Sequence, residues 1–235
     1  MSVRLVDCRP REAYDAGHLP AAVHLDPETV LSTPTKDPSQ GGRHPLPDPH
    51  ALAAMFSGAG IGPDTVVLAY DDGTGWAARC WWLLRHLGHD RAGTFELRAY
   101  LGPFETGVPH VERAAFVPHV RGDDTIEAEE IHERLGDPSL VLLDARAPER
   151  WRGDVEPLDP VAGRIPGARN AYFDEPLPDG VLDAPELVAY CGSGVTAAVV
   201  AQKLVLAGRD DVRFYPGSFS EWCRDPSNPI ERGDP

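Results

Sequence analysis

Two stretches of this chain, one in each half, carry the same order of residues. Each begins with an apolar run that ends in Asp-x-Arg, and each continues to a Gly-x-x-Pro motif and then to a second apolar run. The matching pairs are Asp7-Cys-Arg9 with Asp144-Ala-Arg146, Gly17-His-Leu-Pro20 with Gly163-Arg-Ile-Pro166, and Leu68-Ala-Tyr70 with Val188-Ala-Tyr190. A repeat of this length indicates an internal duplication and predicts two similar domains.

Within each copy, short apolar runs alternate with stretches that have helical spacing. Trp76–Leu87 shows that spacing and is followed by Gly88, a residue that favours helix ends. This alternation predicts an α/β fold with two tandem domains, each a parallel sheet flanked by helices. We place the first domain at residues 1–110 and the second at 124–235, because the stretch 104–124 is rich in Pro, Gly and charge.

The second half contains a thiol where a strand gives way to a helix. The apolar run before Cys191 predicts a strand, and the Ala-rich stretch after Thr196 predicts a helix. Gly192 and Gly194 let backbone N–H groups turn toward one point, where the helix N-terminus adds partial positive charge. Such a cradle favours a nucleophilic thiolate. The alternative interpretation is a buried cysteine in a tight turn.

The first half has Asp71 at the position that corresponds to Cys191. A carboxylate lacks the soft, polarisable sulfur of a thiolate, so we expect only the second copy to be active. The stretch 31–49 holds five prolines without periodicity and is expected to form an ordered surface excursion.

Composition excludes several classes of function. Lys and Arg total 22 against 37 Asp and Glu, a net charge of −15, which argues against a nucleic-acid partner. The chain has no apolar run long enough for a membrane span and no signal-peptide pattern. Its four cysteines lack paired metal-ligand spacing, so we expect no metal site and a reducing, cytoplasmic location.

A thiolate in an amide-lined loop suits attack on phosphorus or on sulfur. Cysteine phosphatases place an arginine six residues after the cysteine, where it binds phosphate in bidentate fashion. Here that position is Ala197. The loop therefore favours a persulfide, whose terminal sulfur anion the loop amides would stabilise.

The motifs together resemble the tandem-domain sulfurtransferases of the rhodanese superfamily, and the resemblance covers nearly the whole chain. It implies an inactive first domain, a catalytic second domain, and no metal or organic cofactor. The motifs that carry it are Gly17-His-Leu-Pro20, Gly42-Arg-His-Pro-Leu-Pro47, Tyr70-Asp-Asp72, Leu143-Asp-Ala-Arg146, Glu149-Arg-Trp-Arg-Gly153, Gly163-Arg-Ile-Pro-Gly-Ala168, Cys191-Gly-Ser-Gly-Val-Thr196 and Tyr215-Pro-Gly-Ser-Phe-Ser-Glu-Trp222.

The resemblance also implies the roles of individual residues. Cys191 would be the nucleophile, and Arg150 would bind the substrate carboxylate, while Arg152 is expected to form a solvated ion pair. Ser193 would handle protons together with His44, for which Glu28 is a candidate acidic partner; capping of the following helix is the alternative role of Ser193. The persulfide would be stabilised by the amides of Gly192, Gly194, Val195 and Thr196.

The second and third loop residues predict the sulfur donor. Enzymes that use thiosulfate resemble Cys-Arg-Lys-Gly-Val-Thr, whereas those that use 3-mercaptopyruvate resemble the Cys-Gly-Ser-Gly-Val-Thr of residues 191–196. Without loop cations, a dianion loses two charge-assisted partners, each worth about 1.5–3 kcal/mol. We expect 3-mercaptopyruvate as donor and a thioredoxin-like protein, a small thiol or cyanide as acceptor. The alternatives are a thiosulfate sulfurtransferase and a non-catalytic sulfur carrier.

Two features of the second half depart from the family pattern. The second substrate arginine of several relatives has no match, because residues 154–159 are acidic instead; Arg164 is a candidate replacement. The stretch between Phe173 and Leu187 is short for the helix that normally precedes the catalytic strand. Cys223 is expected to be a packed thiol, with a redox pairing to Cys191 as the alternative.

Overall fold

The computed structural model describes residues 2–234, which divide into two compact units. The first unit contains residues 2–33 and 46–121, and the second contains residues 34–45 and 122–234. The segment 34–45 lies within the proline-rich excursion. This segment belongs to the second unit, although in sequence it interrupts the first.

The first unit is a parallel four-stranded sheet with helices. Its strands are β1 Ser2–Asp7, β2 Val23–His24, β3 Thr65–Tyr70 and β4 Ala92–Thr94, and its helices are α1 Arg11–Ala16, α2 Pro49–Gly58 and α3 Trp76–His86. The strand order is β2-β1-β3-β4, with every neighbouring pair parallel. Helix α3 stops just before Gly88, whose φ of +83° is easily adopted only by glycine.

The second unit repeats this arrangement. Its strands are β5 Leu140–Asp144, β6 Arg169–Asn170, β7 Glu186–Tyr190 and β8 Arg213–Phe214, and its helices are α4 Ala128–Glu133, α5 Pro148–Arg152, α6 Ala197–Leu206 and α7 Ser218–Trp222. The strand order β6-β5-β7-β8 is again all parallel and matches the first sheet position by position. The predicted α/β fold with a duplicated parallel sheet is thus confirmed.

A buried ion pair recurs at the same place in both copies and explains the Asp-x-Arg motif. Arg9 Nε donates to Asp7 Oδ1 at 3.0 Å, and Arg146 Nε donates to Asp144 Oδ1 at the same distance. In both units, Nη2 of the arginine also donates to the carbonyl oxygen of the first glycine in the Gly-x-x-Pro motif, at 2.7 and 2.8 Å. The pair therefore ties the end of one strand to the segment that leads into the next.

The core of the second unit lies beneath the carboxyl end of β7. Leu142 of β5 and Val188 and Tyr190 of β7 pack in one buried cluster with Phe219 and Trp222 of α7. Burial of large apolar side chains is worth roughly 1.5–3 kcal/mol for each residue, so this cluster holds the strand end and α7 in a fixed relation.

The segment before β7 is held without an α-helix. The first unit has α2 before β3, whereas the second has only the 3₁₀ helix Val181–Asp183. Lys203 Nζ on α6 donates to two backbone carbonyl oxygens of the segment, and Arg209 Nη1 donates to two more. The four acceptors, at 2.6–2.7 Å, belong to Phe173, Glu175, Leu182 and Ala184.

Among residues 2–234, no helix is long and apolar enough to span a membrane. The longest helix in that range, α3, has 11 residues.

Candidate active site

Cys191 follows β7 directly and lies in the loop that leads to α6, as the sequence predicted. Its side chain is buried, with only 2% of the residue exposed. The start of α7 holds the loop in place: Cys191 N donates to Ser218 Oγ at 3.1 Å, and Phe219 N donates to the Cys191 carbonyl oxygen at 3.0 Å. A further bond of 2.9 Å joins Ser220 N to the Gly192 carbonyl oxygen.

The loop backbone directs N–H groups at the sulfur. Ser193 N and Gly194 N donate to Cys191 Sγ at 3.4 and 3.1 Å. Gly194 has a φ of +77°, a left-handed conformation that glycine adopts without strain. Val195 and Thr196 complete the loop, and Thr196 is the N-terminal cap residue of α6. Two donors aimed at one buried sulfur favour negative charge there, in the thiolate or in a persulfide.

The equivalent loop of the first unit is filled by its own carboxylate. Asp71 Oδ1 accepts from Gly73 N at 2.9 Å, and Oδ2 accepts from Ala77 N at 2.9 Å and from Thr74 Oγ1 at 3.2 Å. Of these donors, Gly73 N is the counterpart of Ser193 N, which donates to the sulfur in the second unit. This arrangement supports the expectation that only the second copy carries a nucleophile.

The segment 34–45 is attached to α7 by hydrogen bonds from its backbone N–H groups to side chains of the helix. Gly41 N donates to Glu221 Oε1 at 2.7 Å, and Arg43 N donates to Ser220 Oγ at 2.9 Å. Between them, a Cβ atom on Gly42 would lie only 2.6 Å from Ser220 Oγ and would overlap the Gly217 carbonyl oxygen. Only glycine fits this approach, which explains the glycine that precedes Arg43.

This attachment brings His44 to the loop. His44 Nδ1 lies 2.8 Å from Ser193 Oγ, a hydrogen bond between residues 149 positions apart. The predicted His44–Ser193 pair is therefore present in the structure. Ser193 Oγ points to His44, and helix α6 has no side-chain cap at its N-terminus. Glu28 lies in the first unit, where burial raises its pKa, and its partnership with His44 stays a prediction.

Arg150 lies beside the loop and is held by a buried carboxylate. Its Nη2 donates to Glu156 Oε1 at 2.7 Å, and its Nε donates to Glu156 Oε2 at 3.2 Å. A Cβ atom on Gly192 would be 3.4 Å from Arg150 Nη2. Arg152, in contrast, pairs with Asp154 away from these contacts and is about a third exposed, as expected of a solvated ion pair.

Sequence reasoning missed Arg43. Its Nη2 would lie 3.0 Å from a Cβ atom on Gly192, so a second guanidinium group borders the loop. Its Nη1 forms an ion pair with Asp159 Oδ1, and Arg224 Nη1 reaches the same oxygen at 2.9 Å. The acidic stretch 154–159 therefore supplies the buried carboxylates that hold arginines beside the loop.

The contacts of Arg164 and Cys223 indicate that both residues stabilise the fold. The fully buried Arg164 donates from Nη2 to Glu231 Oε1 at 2.5 Å and from Nη1 to the Gly233 carbonyl oxygen at 2.6 Å, and it stacks on Trp151. It fastens the C-terminal segment rather than replacing a substrate arginine. Burial raises the pKa of Cys223 to about 11, which keeps it a neutral, packed thiol.

The fold and the site together describe an α/β protein with two domains of the same kind, only one of which carries a cysteine loop. Both halves match the model of the rhodanese-like domain, at residues 1–99 and 127–225. Because these matches cover most of the chain, it belongs to the rhodanese family.

Three known proteins are similar to this chain over most of their own length and of its length. A Pseudomonas aeruginosa protein whose name proposes 3-mercaptopyruvate sulfurtransferase activity is 42% identical, over 94% of this chain and 86% of its own. The Mycobacterium tuberculosis protein SseB, whose name proposes thiosulfate sulfurtransferase activity, is 38% identical over 94% and 85%. The crystal structure of Escherichia coli SseA, described among the 3-mercaptopyruvate sulfotransferases, superposes with a TM-score of 0.76 at 26% identity, covering 93% of each chain.

Proposed function

We propose that this protein is a sulfurtransferase that moves sulfane sulfur from 3-mercaptopyruvate to a thiol or cyanide acceptor through a persulfide on Cys191. One observation carries the proposal: the buried Cys191 Sγ accepts two backbone N–H groups at the carboxyl end of β7. The rhodanese family and the names of two relatives support the same chemistry.

The first half-reaction transfers sulfur to the enzyme. The Cys191 thiolate attacks the sulfur of 3-mercaptopyruvate, an S–S bond forms, and the C–S bond breaks with its electron pair going to carbon. The product is the enolate of pyruvate, which becomes pyruvate on taking up a proton. Ser193 Oγ, which lies in the loop and is hydrogen-bonded to His44 Nδ1, is proposed to pass that proton.

The second half-reaction returns the enzyme to its starting state. An acceptor thiolate or cyanide attacks the outer sulfur of the persulfide, and the S–S bond breaks with its electrons going to Cys191 Sγ. The N–H groups of Ser193 and Gly194 that donate to this sulfur stabilise the departing thiolate. The amides of Gly192, Val195 and Thr196 are proposed to help hold the outer sulfur. A thioredoxin-like or small-thiol acceptor and a cytoplasmic location stay predictions.

Thiosulfate is the second candidate donor, and the structure supplies an observation in its favour. Gly192 has no cationic side chain, yet two guanidinium groups, of Arg43 and Arg150, border the position that a Cβ atom on it would occupy. A dianion therefore finds positive charge near the loop without an arginine in the loop itself. The relative named for thiosulfate is nearly as similar as the one named for 3-mercaptopyruvate.

Comparison of the two donors tests the proposal. With cyanide as acceptor, we expect kcat/KM for 3-mercaptopyruvate to exceed that for thiosulfate by at least about tenfold, a difference of about 1.4 kcal/mol in transition-state stabilisation. The reason is that Ser193 and His44 serve a donor that needs a proton on its leaving carbon, whereas the sulfite leaving group of thiosulfate needs none. A higher kcat/KM for thiosulfate would overturn the assignment of the donor and leave sulfur transfer intact.

A non-catalytic sulfur carrier is the remaining alternative. It would hold a stable persulfide on Cys191 and show negligible turnover with either donor. The His44–Ser193 hydrogen bond argues against it, since a carrier has no need of a group that moves protons.

A further inference from the structure

Ser220, a fully buried residue of α7, binds both partners of the proposed proton-transfer pair through their neighbours in sequence. Its backbone N donates to the Gly192 carbonyl oxygen at 2.9 Å, and Gly192 immediately precedes Ser193. Its side-chain Oγ accepts from Arg43 N at 2.9 Å, and Arg43 immediately precedes His44. One residue of α7 therefore contacts the backbone beside each member of the pair.

The bond from Ser220 N sets the direction of one loop peptide. In a trans peptide the C=O and N–H groups point in opposite directions, and residues 2–234 contain no cis peptide bond. Because the Gly192 carbonyl faces α7, the N–H of Ser193, in the same peptide, faces away from α7 and reaches Cys191 Sγ at 3.4 Å. The backbone of α7 thus fixes the loop, and this contact does not depend on the hydroxyl of Ser220.

The turn at residues 41–43 depends on side chains of α7 for its conformation. Gly41 and Gly42 have φ values of +75° and +74°, and glycine loses more conformational freedom than any other residue when it is fixed. Gly41 N donates to Glu221 Oε1 at 2.7 Å, and the next N–H group but one, that of Arg43, donates to Ser220 Oγ. Two consecutive side chains of α7 therefore hold the turn on both sides of Gly42.

Both acceptor atoms are themselves held in place. Ser220 Oγ donates its proton to the Gly217 carbonyl oxygen at 3.2 Å, which leaves a lone pair for the segment 34–45. Glu221 Oε2 accepts from Tyr215 OH at 2.7 Å. Burial, together with the charge of Glu221, raises the pKa of the fully buried Tyr215, so the phenol keeps its proton and remains a donor.

We propose that Ser220 and Glu221 are positioning residues that hold His44 against Ser193 and so set the rate of proton transfer. This inference rests on the proposed function and deepens it. Both residues act through the backbone of the 41–43 turn and not on the donor. His44 Nδ1 lies 2.8 Å from Ser193 Oγ, and a hydrogen bond weakens steeply as its geometry departs from such values. A small shift of the turn would therefore uncouple the pair.

The kinetic test uses Ser220→Ala, Glu221→Ala and the isosteric Glu221→Gln, with 3-mercaptopyruvate as donor. We expect each alanine variant to lower kcat at least about tenfold, because proton transfer is impaired, and to change KM less than about threefold. Glu221→Gln should stay within about threefold of the wild-type kcat, because its amide oxygen still accepts from Gly41 N. In a His44→Gln background neither alanine substitution should lower kcat further, since the pair is already lost.

Ser57→Ala is the matched control. Ser57 is also buried, and its Oγ accepts from Phe116 N at 3.1 Å, the same kind of bond in the first unit. This variant should leave kcat and KM as in the wild-type protein. An undiminished kcat in either alanine variant of α7, or losses that persist in full in the His44→Gln background, would overturn the inference.

The nitrogen chemical shifts of the His44 ring test the inference without turnover. Loss of a signal in His44→Gln identifies the ring, and Ser193→Ala gives the Nδ1 shift without the hydroxyl partner. At the same pH, we expect Ser220→Ala and Glu221→Ala to move Nδ1 toward the Ser193→Ala value, and Ser57→Ala to leave it unchanged. An Nδ1 signal unmoved by either substitution in α7 contradicts the inference. A wild-type protein that turns over no 3-mercaptopyruvate contradicts the proposed function instead, and the Nδ1 shift still decides what holds His44.

Discussion

Replacement of Cys191 by serine is expected to abolish sulfur transfer while leaving the fold intact. A serine hydroxyl is a far weaker nucleophile toward sulfur and cannot store a persulfide, so we expect turnover to fall by at least about a thousandfold. The loop should keep its conformation, because a serine oxygen can accept the same N–H groups from Ser193 and Gly194 that now donate to Sγ. The measurement is the rate of thiocyanate formation from 3-mercaptopyruvate and cyanide.

Cys223→Ser is the matched control for this experiment. Cys223 is also buried in the second unit, and burial raises the pKa of its thiol to about 11, so it has almost no thiolate at neutral pH. We expect Cys223→Ser to retain turnover. Activity that survives Cys191→Ser and is lost in Cys223→Ser would mean that the nucleophile has been misassigned.

Removal of the His44–Ser193 pair should slow the chemical step rather than binding. Loss of a group that transfers a proton in the transition state typically costs about 10²–10⁴-fold, so we expect kcat with 3-mercaptopyruvate to fall at least about a hundredfold in Ser193→Ala and in His44→Gln. If the 2.8 Å hydrogen bond makes the two residues one unit, the double variant should be little worse than either single variant.

Two outcomes would contradict a proton-transfer role for this pair. Multiplicative effects of the two substitutions would show that the residues act independently. Unchanged kcat with raised KM would show that they only bind substrate. Ser227→Ala, which removes an exposed hydroxyl hydrogen-bonded to Asp225, is the control and should leave both parameters as in the wild-type protein.

The duplicated sheet was predictable because its signals are local and repeated. Each copy places Asp-x-Arg at the end of a strand, and in each copy the arginine donates a hydrogen bond to a glycine further along the chain, in the segment before the next strand. The alternation of strands and helices then leaves few arrangements open. Placement of Cys191 followed for the same reason, since loops at the carboxyl ends of parallel strands are where sites of α/β folds occur.

The environment of the site was less predictable because it depends on contacts distant in sequence. The segment 34–45 has no periodicity, and its attachment to α7 joins residues 177–180 positions apart. His44 could be matched by its motif, but Arg43 beside it could not be assigned a role without the contact to Asp159. The acidic stretch 154–159 was misleading because the sequence does not show which carboxylates are buried. Carboxylates that form ion pairs with arginines read in the sequence like exposed negative charges that would repel an anionic donor.

The central claim is that sulfur passes through a persulfide on Cys191, and mass spectrometry tests it most directly. The protein is mixed with 3-mercaptopyruvate without acceptor, and its intact mass and Cys191 peptide are measured before and after cyanide is added. The account predicts one added sulfur atom per chain, located on Cys191, that cyanide removes at a rate no slower than turnover. Steady turnover with no sulfur on Cys191, or a sulfur on Cys191 that no acceptor removes, would contradict it.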